Sequence, residues 1–266
     1  MSQRITAPPP SYKPPRPAPE PLEIEPVDEG NELRMSFFEH LNELRKRVFR
    51  ALLAVIAGTV VGFVLAGPFL EYLIRPYGER LTALGPTEPV IAYFRVALMI
   101  GGAIAMPVII YQLLMFILPG LTRRESRILL SSLPAIMLLF VIGGVFAWTI
   151  LVPPALDFLS GFQPTLFKPE WTADLYLGFI TSLIFWMGVA FETPLIFFVV
   201  AVLGLVTTRA VVRNWRIAIV GSAAAAAMIT PTVDPVNMAL VMGPLLTLYL
   251  FSIFLVAIGA RINRAR

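Results

Sequence analysis

The sequence predicts an all-α integral membrane protein: six transmembrane helices with both termini cytoplasmic, kinked so that together they form a concave wall. Three observations carry that reading. First, the 266 residues are 57% hydrophobic and only 14% charged, against roughly 45–50% apolar and about 25% charged in a soluble domain. So few charges cannot cover a water-facing surface, and a mean hydropathy of +0.78 spreads the apolar excess along most of the chain. Second, 51–70, 96–122, 128–156, 217–233 and 235–260 contain no Asp, Glu, Lys or Arg, and 175–208 contains only Glu192. Each reaches the roughly 17–20 residues that cross a hydrocarbon core of about 30 Å. Third, 17 of the 21 lysines and arginines lie before residue 51 or in 123–127, 209–216 and 261–266, the others being Arg75, Arg80, Arg95 and Lys168. The positive-inside rule then places both ends, and the second and fourth connections, on the cytoplasmic side.

Taken in order, residues 1–34 hold nine prolines and six acids with no apolar run, which predicts a disordered Pro-rich cytoplasmic tail. With no apolar stretch behind its few positive charges, it is no cleavable signal peptide, and the first span serves as the insertion signal. The prolines at 8–10 and 13–17 read either as a partner ligand or as a plain tether. Residues 35–266 form a single six-helix membrane domain, with spans at about 48–70, 93–118, 128–152, 175–204, 217–233 and 236–258. Ser36 and Glu39 have capping-box spacing and start a helix. Phe37, Leu41, Leu44 and Val48 recur at steps of three and four among charged residues, as in an interfacial amphipathic helix that runs into the first span.

Pro119 ends the second helix. The 175–208 region is long enough for about 50 Å of helix. Two spans there would put Arg209, Arg213, Arg216 and the basic tail outside, so it is one long helix with an end emerging into the interface. The fifth span has only 17 residues and includes five alanines at 223–227. It requires either a thinned bilayer or close packing on a neighbour. Pro68, Pro107, Pro134 and Pro194 interrupt or border spans and kink them.

The composition also excludes chemistry. There is no cysteine and one histidine, hence no thiolate site and no imidazole cluster for a metal. There is no phosphate-binding glycine loop and no H-E-x-x-H. Ser222 has no base within the spans, since His40 is the sole histidine and lies outside them. The net charge of +4 sits at membrane flanks, which favours lipid over nucleic acid as its counterpart. No enzyme activity, cofactor or metal is expected.

Several segments carry a resemblance. Residues 40–47 (H-L-N-E-L-R-K-R) resemble the H-L-x-E-L-R-x-R motif of TatC, the multispanning subunit of the twin-arginine protein translocase. In the family's order follow 87–95, entering the second helix, 107–112 (P-V-I-I-Y-Q) and 116–125 (F-I-L-P-G-L-T-R-R-E) in the first cytoplasmic loop. F-E-T-P at 191–194 matches the fourth helix, and Thr230, Pro231, Asp234 and Pro235 match the last outer loop. The resemblance covers about 35–258.

It implies a receptor and core subunit that binds twin-arginine signal peptides of folded proteins. Assembled with single-span TatA/TatB-type partners, as a homo-oligomer within a complex, it would support export driven by the proton gradient. It also implies a multi-pass protein of a prokaryotic plasma (inner) membrane. Glu43, Arg45, Phe116 and Glu125 are the implied signal-peptide-binding residues, because paired guanidinium groups call for carboxylates on a basic face. The residues alone leave open that Glu43 simply pairs with Arg47 one turn on, that Glu125 is a solvated loop residue, and that Phe116 is an interfacial aromatic.

Glu192 is the implied contact for a partner; a carboxylate at mid-depth costs about 2.5–3.5 kcal/mol on insertion scales. Packing against a neighbouring helix is its other reading. Pro76 and Asp234 are expected as structural or outer-loop residues. Met238 stands where the family commonly has glutamine and Leu250 where it has glutamate, so nothing is assigned to the last helix. A proton-coupled secondary transporter of a small solute, with Glu192 carrying the proton, is the alternative.

Overall fold

The structure, a computed structural model, describes residues 37–78, 80–118, 122–166, 168–230 and 234–264. By compactness the chain divides into Met1–His40 and Leu41–Arg266. The proline-rich tail, Ser36 and Pro119 lie outside the described residues.

The amphipathic segment and the first span are one element, α1 (Phe37–Ile74), of 38 residues. At 1.5 Å per residue it is about 57 Å long, well beyond a hydrocarbon core, so part of it must stand in the interface or in water. Val60 and Val64 on its outer face are 63% and 76% exposed, as suits side chains turned to lipid. A single 3-10 turn, Arg75–Tyr77, ends it, with Gly78 in the left-handed region at φ 77°.

α2 spans Glu88–Ile117 and stops two residues before Pro119. α3 (Arg123–Phe146), a π-helical segment (Ala147–Leu151) and α4 (Val152–Gly161) form one apolar rod. Pro153 and Pro154 have no N–H to continue the ladder, and Val152 N–H reaches back five residues to the Ala147 carbonyl. The third rod therefore runs beyond the expected limit at 152, to Gly161.

The fourth span is one membrane crossing broken in two: α5 (Ala173–Phe191) and α6 (Thr193–Val202). Where the composition suggests a single long helix, Pro194 removes a donor and Glu192 sits in the turn. α7 (Thr208–Arg213) is capped by the Thr207 hydroxyl, which accepts from Ala210 N–H. α8 (Trp215–Ile229) has 15 residues, ending four short of the expected 233. α9 (Pro235–Arg264) closes the chain. Among the described residues five helical rods are long and apolar enough to cross a membrane, and α8 is a shorter apolar helix.

α5 is the central rod, packed against α2 and α3, with Ile180 and Met187 wholly buried and Leu177 and Leu183 1% exposed. α9 packs against α6 and α8. The largest core cluster gathers α1, α2, the π segment and α5 around these side chains. A smaller one joins α2, α3 and α6 through Ile110, Leu114, Leu129 and Val199.

At the end where α1 terminates, two connections are stitched together. Thr82 and Thr172 form an isolated bridge, with Ala173 N–H donating to the Thr82 carbonyl at 3.0 Å. Tyr77, Trp171 and Tyr176 cluster with centroids 5.6–5.8 Å apart, and the Tyr176 hydroxyl donates to the Leu73 carbonyl at 2.9 Å. Such rings, apolar in body and polar at the tip, suit a headgroup boundary.

Candidate functional site

At the opposite end of the bundle, Glu43 and Arg47 lie one turn apart on α1 and pair. Arg47 Nη2 and Nε donate to the same oxygen, Glu43 Oε1, at 2.6 and 3.1 Å. Both side chains are mostly buried, 17% exposed for Glu43 and 15% for Arg47. Arg47 Nη1 crosses to α2 and donates to Gln112 Oε1 at 3.3 Å. Glu43 Oε2 is buried and has no hydrogen-bond donor among the described residues. The pair is thus end-on through one oxygen, and the second, buried oxygen accepts no hydrogen bond among the described residues. A guanidinium prefers a two-oxygen fork, so this carboxylate still has acceptor capacity for another cation.

Phe116 is half-buried and sits four residues after Gln112 on α2, hence on the same helix face. Arg45 is exposed, on another face of α1. Glu125 occupies the first turn of α3, just past the short connection from α2; its side chain lies outside the described residues. The fold therefore gathers Glu43, Phe116 and the backbone of Glu125 at one end of the bundle.

Glu192 lies at the break between α5 and α6, 6% exposed. Its backbone is satisfied: its N–H donates to the Val189 carbonyl at 3.1 Å, and its own carbonyl accepts from Leu195 and Ile196. Its side-chain Oε1, by contrast, is buried with no hydrogen-bond donor among the described residues. Counting from Ala173, it is about 28 Å along the span.

Asp234 stands at the start of α9 and caps it. Its Oδ1 accepts from Asn237 N–H at 2.7 Å and its Oδ2 from Asn237 Nδ2 at 2.9 Å. Pro76 sits in the 3-10 turn after α1, where a missing N–H does no harm. Among the described residues no three His, Asp or Glu side chains gather as a metal site would require.

Comparison with known proteins decides the family. The family described as Sec-independent protein translocase protein (TatC) matches residues 39–244. A Sec-independent protein translocase protein TatC of Synechocystis sp. is 36% identical over 220 residues, covering 82% of this chain and 87% of that one. The chloroplastic TATC of Oryza sativa subsp. japonica is 35% identical over 230 residues, covering 85% of this chain and 64% of that one. The crystal structure of the twin arginine translocase receptor TatC superposes with a TM-score of 0.76 at 35% identity, covering 84% of this chain and 100% of that chain.

The chain belongs to the TatC family. It is therefore a membrane-embedded component of a protein translocase and not an enzyme. Glu43, Arg45, Pro76, Phe116, Glu125, Glu192 and Asp234 all fall inside the TatC match.

Three residues that pattern reading left unassigned hold this TatC chain together near its polar groups. Gln112, within the P-V-I-I-Y-Q run, ties Arg47 to α2. Arg95 on α2 pairs with Asp174 on α5. Asn237 is 1% exposed, and its Oδ1 has no donor among the described residues. The available signal was an uncompensated polar residue inside or at the edge of an apolar span, a signal used for Glu192 alone.

Proposed function

We propose that this chain is the receptor and core subunit of a twin-arginine translocase, capturing signal peptides that carry consecutive arginines. The observation that supports this reading is the open Glu43 oxygen: a mostly buried carboxylate, held in place by Arg47 and Gln112, with acceptor capacity left over. A peptide guanidinium placed there gains a charge-assisted hydrogen bond worth about 1.5–3 kcal/mol. Glu125 on the first turn of α3 supplies the second carboxylate, Phe116 shapes the wall, and Arg45 contributes from the exposed face of α1.

The partners in this reading are single-span TatA/TatB-type proteins, with Glu192 as their contact at mid-span. The setting is a prokaryotic plasma membrane with both termini cytoplasmic, the chain acting as a homo-oligomer in a complex powered by the proton gradient. Family membership favours this over a proton-coupled solute transporter. The test is site-specific photo-cross-linking of the purified protein to a peptide bearing Arg-Arg, with Lys-Lys as competitor. Glu43→Ala and Glu125→Ala should each lose the adduct while still inserting. Full adduct yield in both, or equal competition by Lys-Lys, overturns the proposal.

A further inference from the structure

A second polar site lies at the other end of the bundle, near the Tyr77, Trp171 and Tyr176 rings. Arg95 is seven residues into α2, and its guanidinium reaches the first turn of α5. There Nη1 donates to the Asp174 carbonyl at 2.7 Å and lies 2.9 Å from Asp174 Oδ1. Asp174 Oδ1 is buried, in ion-pair contact with Nη1, and accepts no hydrogen bond among the described residues. The two side chains are 36% and 38% exposed, so the ion pair remains accessible from outside.

Both line a cavity of about 420 Å³ whose remaining walls are mostly apolar, among them Leu156 and Leu159 of α4 and Phe179 of α5, with Ser182 as a further polar residue. Leu175, also on this wall, is 68% exposed and leads outward to lipid. A cation and an anion side by side above an apolar slot, at the level of an aromatic belt, complement a zwitterionic amphiphile: charges in the headgroup, chain below. Trp171 packs against both Tyr77 and Tyr176, with interplanar angles of 28° and 24°, and the two tyrosines also touch each other. The three centroids form a triangle with sides of 5.6–5.8 Å, which leaves no room between the rings for a quaternary ammonium. What the site offers a cation is the exposed part of the Asp174 carboxylate beside the arginine.

We propose that this cavity between α2, α4 and α5 binds a phospholipid with a primary-ammonium headgroup, its phosphate on Arg95 and its ammonium on Asp174. The chain lies along Leu156, Leu159 and Phe179. Gly178 is part of the design: a Cβ there would meet the Arg95 guanidinium, so the glycine makes room for the cation.

The experiment is native mass spectrometry of the full-length, detergent-purified protein incubated with equimolar phosphatidylethanolamine, phosphatidylcholine and phosphatidylglycerol of identical chains. The wild type should retain the ethanolamine lipid about tenfold over the choline lipid, the size expected of one charge-assisted hydrogen bond. Asp174→Asn should bring that ratio to about one, and Arg95→Gln should lose all three lipids. Gly178→Ala keeps both charges and meets only the movable end of a long side chain. It should fold, elute as the wild type does and lose the lipid, which decides the matter even if Arg95→Gln fails to fold. Equal retention of ethanolamine and choline lipids by the wild type, preference for the glycerol lipid, or unchanged retention in Gly178→Ala would each overturn the proposal.

Discussion

Arg47 holds Glu43 by one oxygen and leaves the other without a donor among the described residues, while its third nitrogen, Nη1, is tied to Gln112 on α2. The carboxylate is therefore aimed by an arginine that is itself aimed by a neighbouring helix. Removing the last link should loosen the aim without removing the charge. Gln112→Ala deletes one hydrogen bond of about 0.5–1.5 kcal/mol, so the affinity for an Arg-Arg peptide should fall by about two- to tenfold. Glu43→Gln, which deletes the charge, should cost more than about tenfold. Peptide titration by fluorescence anisotropy checks the ranking. A Gln112→Ala loss as large as that of Glu43→Gln would mean that Gln112 touches the peptide itself.

Asp234 is expected to matter for the stability of α9. It satisfies both the backbone N–H and the side-chain amide of Asn237, and that asparagine is 1% exposed. Asp234→Ala therefore removes a helix cap worth about 0.5–2 kcal/mol and leaves a buried amide without its acceptor. Thermal unfolding in detergent should show a loss of about 1–3 kcal/mol. Hydrogen exchange should quicken in the first turn of α9 and nowhere on α2. Unchanged exchange there would show that Pro235 alone sets the start of the helix.

What the residues reveal before any coordinates divides along the distance over which each feature is encoded. The apolar rods are local, because absence of charge over about 20 residues is a property of one segment. The helix from Phe37 through the first span and the shortness of the fifth span were legible for that reason. The turn at Glu192 was half legible, since Pro194 announces a bend but not which residue will occupy it. The lock on Glu43 was not legible beyond Arg47, because Gln112 is 65 positions away. Nothing in either segment alone pairs Arg95 with Asp174, 79 positions apart. The glycines Gly58 and Gly62 have the four-residue spacing of a close crossing, yet only the fold shows what they approach.

Glu192 puts a cost on the isolated protein that a partner would relieve. Its Oε1 is buried with no donor among the described residues, and such an atom costs about 1–3 kcal/mol. Glu192→Met keeps a long flexible side chain and removes the polar atoms. It should raise the stability of the purified chain by about 1 kcal/mol, leave the Arg-Arg peptide affinity unchanged, and abolish co-purification of the single-span partners. Stability, peptide binding and pull-down measured on one preparation separate the possibilities. Lower stability with intact pull-down would make Glu192 a packing residue of this chain.

The crossing of α1 and α2 gives the last expectation, and its sign depends on which of two effects is larger. Replacing a helical glycine by alanine normally stabilises by up to about 1 kcal/mol, because glycine loses more backbone freedom. At Gly62, however, the new Cβ would run into the Ala97 carbonyl oxygen, and at Gly58 into that of Gly101. Backbone oxygens cannot swing aside as a lysine end could, so the helices must part, at about 1–3 kcal/mol. Overpacking wins, and Gly62→Ala should unfold at a lower temperature than the wild type. Gly221 on α8 has nothing within 4 Å of its would-be Cβ, so Gly221→Ala should be neutral or stabilising. Parting α1 from α2 also lengthens the reach from Arg47 to Gln112, so Gly62→Ala should weaken Arg-Arg peptide binding while Gly221→Ala should not. Equal melting temperatures for the two variants would show that the α1–α2 approach is slack, and that the Glu43 carboxylate is held by its own helix alone.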